Sequence, residues 1–429
     1  MSVDVATVHL WGQEVGAVAW NPQRATASFQ YAAPFVKSGL PVSPVMMPLD
    51  ANRIYSFPEL GRNAFQGLPG MLADSLPDRW GTAVFNRWLA TQGRPRDSYT
   101  PVERLLYVGK RGMGALEYRP ATRGLGRSEV VTAGELADLA ASVLSAHKGM
   151  SAELDDDGLD TLLQVGTSAG GVRAKAVIAW NPVTDEMRSG QVAAPAGFEY
   201  WIIKFDGVGS TDGTFTDPAG YGRVEMAYHL MARAAGINMS QCRVHTDSAG
   251  RAHFMTQRFD RDPDGSKHHV QTYQAITHRD YNETGRHSWE DALMLTTQLC
   301  GFGATEQLYR RLVFNVVARN HDDHTKNIGF RMDRDGVWTL APAYDVTYAF
   351  NPASPWTSQH QMTINGKQAN IQLDDLLAVA STVGVRKPMA TVRGVLDAVG
   401  EWERFADEAK VSDEFRTEVS RNLRTDIGD

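Results

Sequence analysis

The strongest chemical signal is the run Asn320-His321-Asp322-Asp323-His324-Thr325-Lys326-Asn327. It follows a segment whose apolar residues Leu308, Leu312, Val313, Val316 and Val317 recur at helical spacing. So many chelating and titratable side chains in succession cannot all face a core, so the run reads as a loop held by a rigid helix. Asp322 and Asn327 stand in the spacing D-x-x-x-x-N, with His324 between them as a further catalytic candidate. A carboxylate so placed can take the proton of an attacking hydroxyl, and an amide oxygen nearby can ligate a hard cation. Asp345 follows 23 residues after Asp322, in Ala341-Pro342-Ala343-Tyr344-Asp345-Val346, beyond a hairpin expected over 328–340. It is a candidate for a second oxygen ligand to the same cation.

Upstream, 165–175 is a stretch of small residues between strand signals at 161–166 and 174–180. Its N–H groups could cradle phosphates. It is neither a Walker A loop nor G-x-G-x-x-G. Ser168, Ala169, Gly170, Gly171, Val172, Arg173, Ala174 and Lys175 are its nucleotide-binding candidates. Trp201-Ile202-Ile203-Lys204-Phe205 then sets a lysine inside an apolar strand, where an ammonium needs a partner. Glu225, 21 residues on in the first turn of the next expected helix, is the candidate.

Each signal alone has a plainer reading: a turn, a lysine snorkelling to water, a helix cap. The histidines also allow a zinc or iron site of a metal-dependent hydrolase or nuclease. His321, His324 and a carboxylate would be its ligands, with His268 and His269 as natural additions. The order of the signals favours another arrangement. Phosphate loop, Lys, Glu, D-x-x-x-x-N and Asp is the order of protein kinases, although Val346-Thr347 stands where kinases carry Phe-Gly.

The elements that must position these residues come from a chain of 429 residues, long enough for two or three structural units. With 42% hydrophobic and 22% charged residues it is an ordinary globular composition, and a net charge of −7 disfavours a generic nucleic-acid binder. Two cysteines, Cys242 and Cys300, do not make a disulfide framework and fit a reducing compartment. Neither a signal peptide nor an apolar run of about 18 residues is visible, so a cytoplasmic protein without membrane association is expected.

Hairpin signals occupy 5–10 and 16–20, and helical spacing covers 83–89, 128–150 and 222–235, with Thr132 as a cap and Gly236 as a stop. Residues 199–205 and 253–259 read as strands. From Trp289 onward the chain reads as mostly helical, broken by one hairpin near Asp335-Gly336. The expected class is α+β, a two-lobed protein-kinase-like fold. It has an extra N-terminal α+β subdomain over 1–125, a β-rich lobe with the small-residue loop over 126–260, and a helical C-terminal lobe over 261–429.

The segments GTSAGGVRAKAVIAW, WIIKFDG, VEMAYHLMARAAGI, QRFDRD, NHDDHTKNIGF and LAPAYDV together resemble the HipA family of toxin serine/threonine kinases. MLADSLPDRWG and MGALEY resemble that family's N-terminal subdomain, so the likeness covers nearly the whole chain. The resemblance implies a kinase dependent on ATP and Mg²⁺, from a type II toxin–antitoxin system. A small helix-turn-helix antitoxin is the implied partner, with DNA reached only through it. The implied protein substrate is an aminoacyl-tRNA synthetase. By the same resemblance Asp322 is the catalytic Asp, Asn327 and Asp345 hold Mg²⁺, Lys204 grips the phosphates, and Gln257, Arg258 and Phe259 match the segment that holds adenine; Tyr344 is a further ATP-binding candidate. Ser168 matches the serine at which the family autophosphorylates and inactivates itself. Gln257 stands where the family often carries an acidic residue.

Overall fold

The computed structural model describes residues 4–95, 98–122, 130–145, 159, 161–163, 173–208 and 218–427. It is a mixed α/β protein built on three antiparallel sheets. The first has the strand order Ile54–Tyr55, Thr26–Tyr31, Gln13–Asn21, Val5–Leu10, Leu116–Arg119. Its leading hairpin closes through Trp11 and Gly12, both with positive φ, between the paired residues Leu10 and Gln13. Two such residues match the right-handed twist of the strands they join.

The second sheet runs Cys242–Thr246, Ala252–Gln257, Glu199–Lys204, Lys175–Trp180, Met187–Ser189, Val130–Val131. The third joins His269–Thr272 to the expected hairpin, Gly329–Met332 and Trp338–Leu340.

Among the described residues the apolar side chains form two cores. One is continuous from the N-terminal sheet (Val8, Phe29, Leu72) to the C-terminal helices (Leu312, Val316, Val395). The other lies against the six-stranded sheet (Leu136, Ile178, Ile203) and takes Trp80, Val84 and Phe85 from the N-terminal helix Arg79–Thr91. Polar ties reinforce the first core. Trp11 Nε1 donates to Lys267 O (2.7 Å), Trp338 Nε1 to Pro41 O (3.0 Å), and His269 Nε2 to Val42 O (2.9 Å).

The helices expected around 83–89, 128–150 and 222–235 form as Arg79–Thr91, Ala133–Ser145 and Tyr221–Ala234. Thr132 caps the second, its Oγ1 accepting from Glu135 N. Gly236, at φ 80°, stops the third, where Gly236 N donates to Arg233 O and Ile237 N to Ala232 O.

Two readings are corrected. Residues 161–163, expected in a strand, are helical. Leu159, Leu162 and Leu163 are all buried and share one face at helical spacing, a pattern that a short apolar run disguises. The C-terminal region is less helical than expected, because 341–372 is irregular and the hairpin gains the His269–Thr272 strand. That irregular run holds its backbone through contacts with other elements, as the site shows.

Candidate active site

Lys204 ends the Glu199–Lys204 strand, opposite Phe254 on one neighbour and Lys175 on the other. Its ammonium is buried and bonds Glu225 Oε1 and, at 2.6 Å, Asp345 Oδ1. The expected Lys204–Glu225 pair is therefore present, and Asp345 joins it. Arg173 Nη1 takes the other Glu225 oxygen at 2.7 Å.

The approach of Glu225 has a local cause. Asp206 accepts from Gly220 N (2.9 Å) and Ala252 N (3.3 Å), tying the start of helix Tyr221–Ala234 to the neighbouring strand. Gly222 makes that approach possible, since a Cβ there would lie 2.2 Å from Ala252 O. Burial works against charge on Lys204 and Asp345, but their attraction prevails. The lysine pKa is raised and the Asp345 carboxyl is held below its ordinary value.

The loop bearing Asp322 begins where helix Phe302–Val317 ends. Arg319 takes a left-handed conformation (φ 56°), and Asn320 N returns to Asn315 O at 2.9 Å. The two adjacent aspartates then part. Asp323 is fully buried and accepts from Trp289 Nε1 (2.8 Å), His360 Nδ1 (2.9 Å) and Gln361 N (2.7 Å). Asp322 keeps half its side chain exposed, with His324 Nε2 at 3.7 Å. Asn327 Nδ2 donates to Asp322 O at 2.6 Å, which leaves Oδ1 as the atom able to ligate a cation. Thr325 Oγ1 anchors the turn on Arg279 O.

Asp345, at φ 51°, follows a segment fixed on several sides. Ala341 N donates to Gly329 O, Ala343 N to Asn238 O, and Tyr344 Oη to Lys326 O at 2.6 Å. Tyr344 stacks on Phe259, with ring centroids 5.7 Å apart. His324, Asn327, Tyr344 and Asp345 line one cavity. Carboxylate and amide oxygens are hard donors of the kind Mg²⁺ takes.

Not every candidate is free for a nucleotide. Arg258 is buried with its guanidinium on Asp260 (2.8 Å), so only its backbone could face adenine. Lys175 is likewise buried, its ammonium 2.8 Å from Asp78 Oδ2 of the N-terminal region. Gln257 lies in strand Ala252–Gln257 and gives its N–H to Gln241 O. Ala174 is buried at the strand's edge. Ser168, Ala169, Gly170, Gly171 and Val172 lie outside the described residues.

The histidines do not assemble a zinc or iron site. His269 is buried on Val42 O, His268 bonds Asp262, and His321 bonds Thr357 O and packs on His360. Among the described residues no three His, Cys, Asp or Glu side chains are grouped to hold a metal ion. Each ring was drawn into a separate local contact. Sequence reading missed Trp289, His360 and Gln361 as supports of the loop. No signal in their spacing links them to Asp323, because the contacts span 34 to 38 residues of sequence.

A family model described as the HipA-like C-terminal domain matches residues 167–419, and one described as the HipA N-terminal domain matches 6–119. The chain belongs to the HipA family. HipA of Shewanella oneidensis MR-1 was solved as a toxin–antitoxin system with HipB and its operator DNA. It matches with a TM-score of 0.68 at 16% identity, over 99% of this chain and 96% of that one. The HipA fold is thus shared along the chain. The Helicobacter pylori proinflammatory kinase CtkA matches 59% of this chain and 93% of its own, with a TM-score of 0.33 at 14% identity. No curated protein matches the sequence. Within this HipA-family chain no described helix is long and apolar enough to cross a membrane.

Proposed function

We propose that the chain is a two-lobed serine/threonine protein kinase, using ATP and Mg²⁺, that serves as the toxin of a type II toxin–antitoxin pair in the cytoplasm. The observation that carries the reading is the meeting of Lys204, Glu225 and Asp345 beside the loop of Asp322 and Asn327. Asn327 and Asp345 would hold Mg²⁺, which supplies neutralisation of charge on the transferred phosphoryl group. Lys204 would contact the phosphates, and the segment 257–259 would hold adenine, with Phe259 beside Tyr344. Asp322, half exposed, orients a substrate serine and accepts its proton. Such positioning is most of what phosphoryl transfer asks of a protein.

The implied substrate is a protein of translation such as an aminoacyl-tRNA synthetase. The implied partner is a small helix-turn-helix antitoxin that carries the complex to DNA. The solved Shewanella complex supports that partnership. Ser168 is proposed as the autophosphorylation site. Incubation of the protein with labelled ATP, Mg²⁺ and a cell lysate, followed by phosphosite mapping, tests the reading. Label on a serine of a translation protein is expected. Absence of transfer to any protein, itself included, refutes it.

A further inference from the structure

The cavity lined by His324, Asn327, Tyr344 and Asp345 has a volume of about 20 Å³ and is also lined by Arg311, Asn315, Asn320 and Asp323. Arg311 projects from helix Phe302–Val317 and is buried. Nη2 donates to Ala341 O at 2.7 Å, at the start of the segment that ends in Asp345. Nε and Nη1 have no hydrogen-bond partner among the described residues, and neither has Asn320 Oδ1. Asn320 opens the Asp322 loop, and its Nδ2 donates to Asn315 Oδ1 at 3.0 Å. Burial without a carboxylate partner pulls Arg311 down to about 10.

Two unmatched donor atoms and one unmatched acceptor on residues that line one small cavity are what a single water satisfies, and a volume of about 10–15 Å³ is enough to hold one. A small anion would satisfy the guanidinium. It would also sit against Asn320 Oδ1 and the Asp323 and Asp345 carboxylates that line the same space.

We propose that this cavity holds one bound water bridging Arg311 to Asn320, and that Arg311 is a positioning residue joining the Asp322–Asn327 loop to the Asp345 segment. The direct bond to Ala341 O holds one side, and the water holds the other. The positioning role rests on the kinase reading above; the water does not. Supports behind metal ligands commonly carry about 10- to 100-fold in metal affinity or activity.

Two measurements test the proposal. A crystal structure of the nucleotide-free protein, at a resolution that shows ordered water, should place a solvent peak within hydrogen-bonding distance of Arg311 and of Asn320 Oδ1. No peak there, or an anomalous bromide signal after a bromide soak, overturns the water. In steady-state kinetics Arg311→Met should lower kcat. It should also raise the Mg²⁺ concentration for half-maximal rate by about tenfold or more, while KM for ATP at saturating Mg²⁺ changes little. Arg311→Lys should recover part of the loss. A wild-type Mg²⁺ requirement in folded Arg311→Met overturns the positioning role. If that variant does not fold, Asn320→Ala, which removes only the acceptor, is read in the same way. A wild-type protein without phosphotransfer counts against the kinase reading, while the solvent peak still decides the water.

Discussion

Lys204 Nζ lies 2.6 Å from Asp345 Oδ1, across 141 residues of sequence, while Glu225 holds the same ammonium from the other side. One buried cation thus joins a strand, a helix and the segment proposed to hold Mg²⁺. Arg173 shares Glu225, so the pair is a network of two cations and two carboxylates. In such a network the charges are balanced only while every member is present.

Lys204→Met should therefore destabilise the nucleotide-free protein by about 1–3 kcal/mol, because it leaves buried Glu225 with Arg173 alone and takes the cation from the partly exposed Asp345. Chemical denaturation checks this. A variant as stable as wild type would show that the ammonium is not a structural partner of Asp345.

Asp322→Ala and Asp323→Ala should behave oppositely. The first removes a half-exposed carboxylate and should cut phosphoryl transfer by about 10²- to 10⁴-fold with little change in melting. The second strips the acceptor from Trp289, His360 and Gln361 and should cost several kcal/mol of stability, at about 1–3 kcal/mol per buried group left unpaired. Normal transfer by a folded Asp322→Ala would remove that residue from catalysis.

Asp345→Ala should abolish the Mg²⁺-dependent part of the stabilisation that ATP confers. A ligand at a hundredfold excess over its Kd contributes about 2.7 kcal/mol, which a melting assay resolves. An unchanged ATP shift would place the cation elsewhere.

Stability should fall as pH drops below about 6.5. Burial pushes His229, His269 and His278 down to about 4 and His321 to about 3. These rings stay neutral in the folded protein, whereas in the unfolded chain they take up protons from about 6.5 downward. The unfolded state then binds more protons, so their contribution is complete above that pH and is lost progressively between it and the folded values. Denaturation at pH 7 and pH 5 should show a clear loss. Equal stability at the two would contradict neutral burial.

Ser168 should gain one phosphate when the protein is incubated with Mg²⁺ and ATP, and Asp322→Ala should not. A phosphoserine adds about −1.5 to −2 charge, which would repel the ATP phosphates and lower nucleotide affinity. Intact mass and site mapping decide it. Full activity after long incubation with no phosphate in 165–175 ends the proposal.

The sequence alone determined the order and type of the chemical groups, because these are written in local spacing. D-x-x-x-x-N after an amphipathic helix, a lysine within an apolar strand, and an acidic residue on the following helix could be read without coordinates. Helix ends such as Thr132 and Gly236 were legible too, since caps act within a few residues. Tertiary structure decided what depends on contacts between distant segments. It parted Asp322 from Asp323, leaving the first half exposed and burying the second among Trp289, His360 and Gln361. It sent Arg258 to Asp260 and Lys175 to Asp78, and it scattered histidines that are adjacent in sequence into separate pockets. It also made Leu159, Leu162 and Leu163 one helical face. A side chain's type sets which partners satisfy it, but burial and the approach of other elements set which partner it meets.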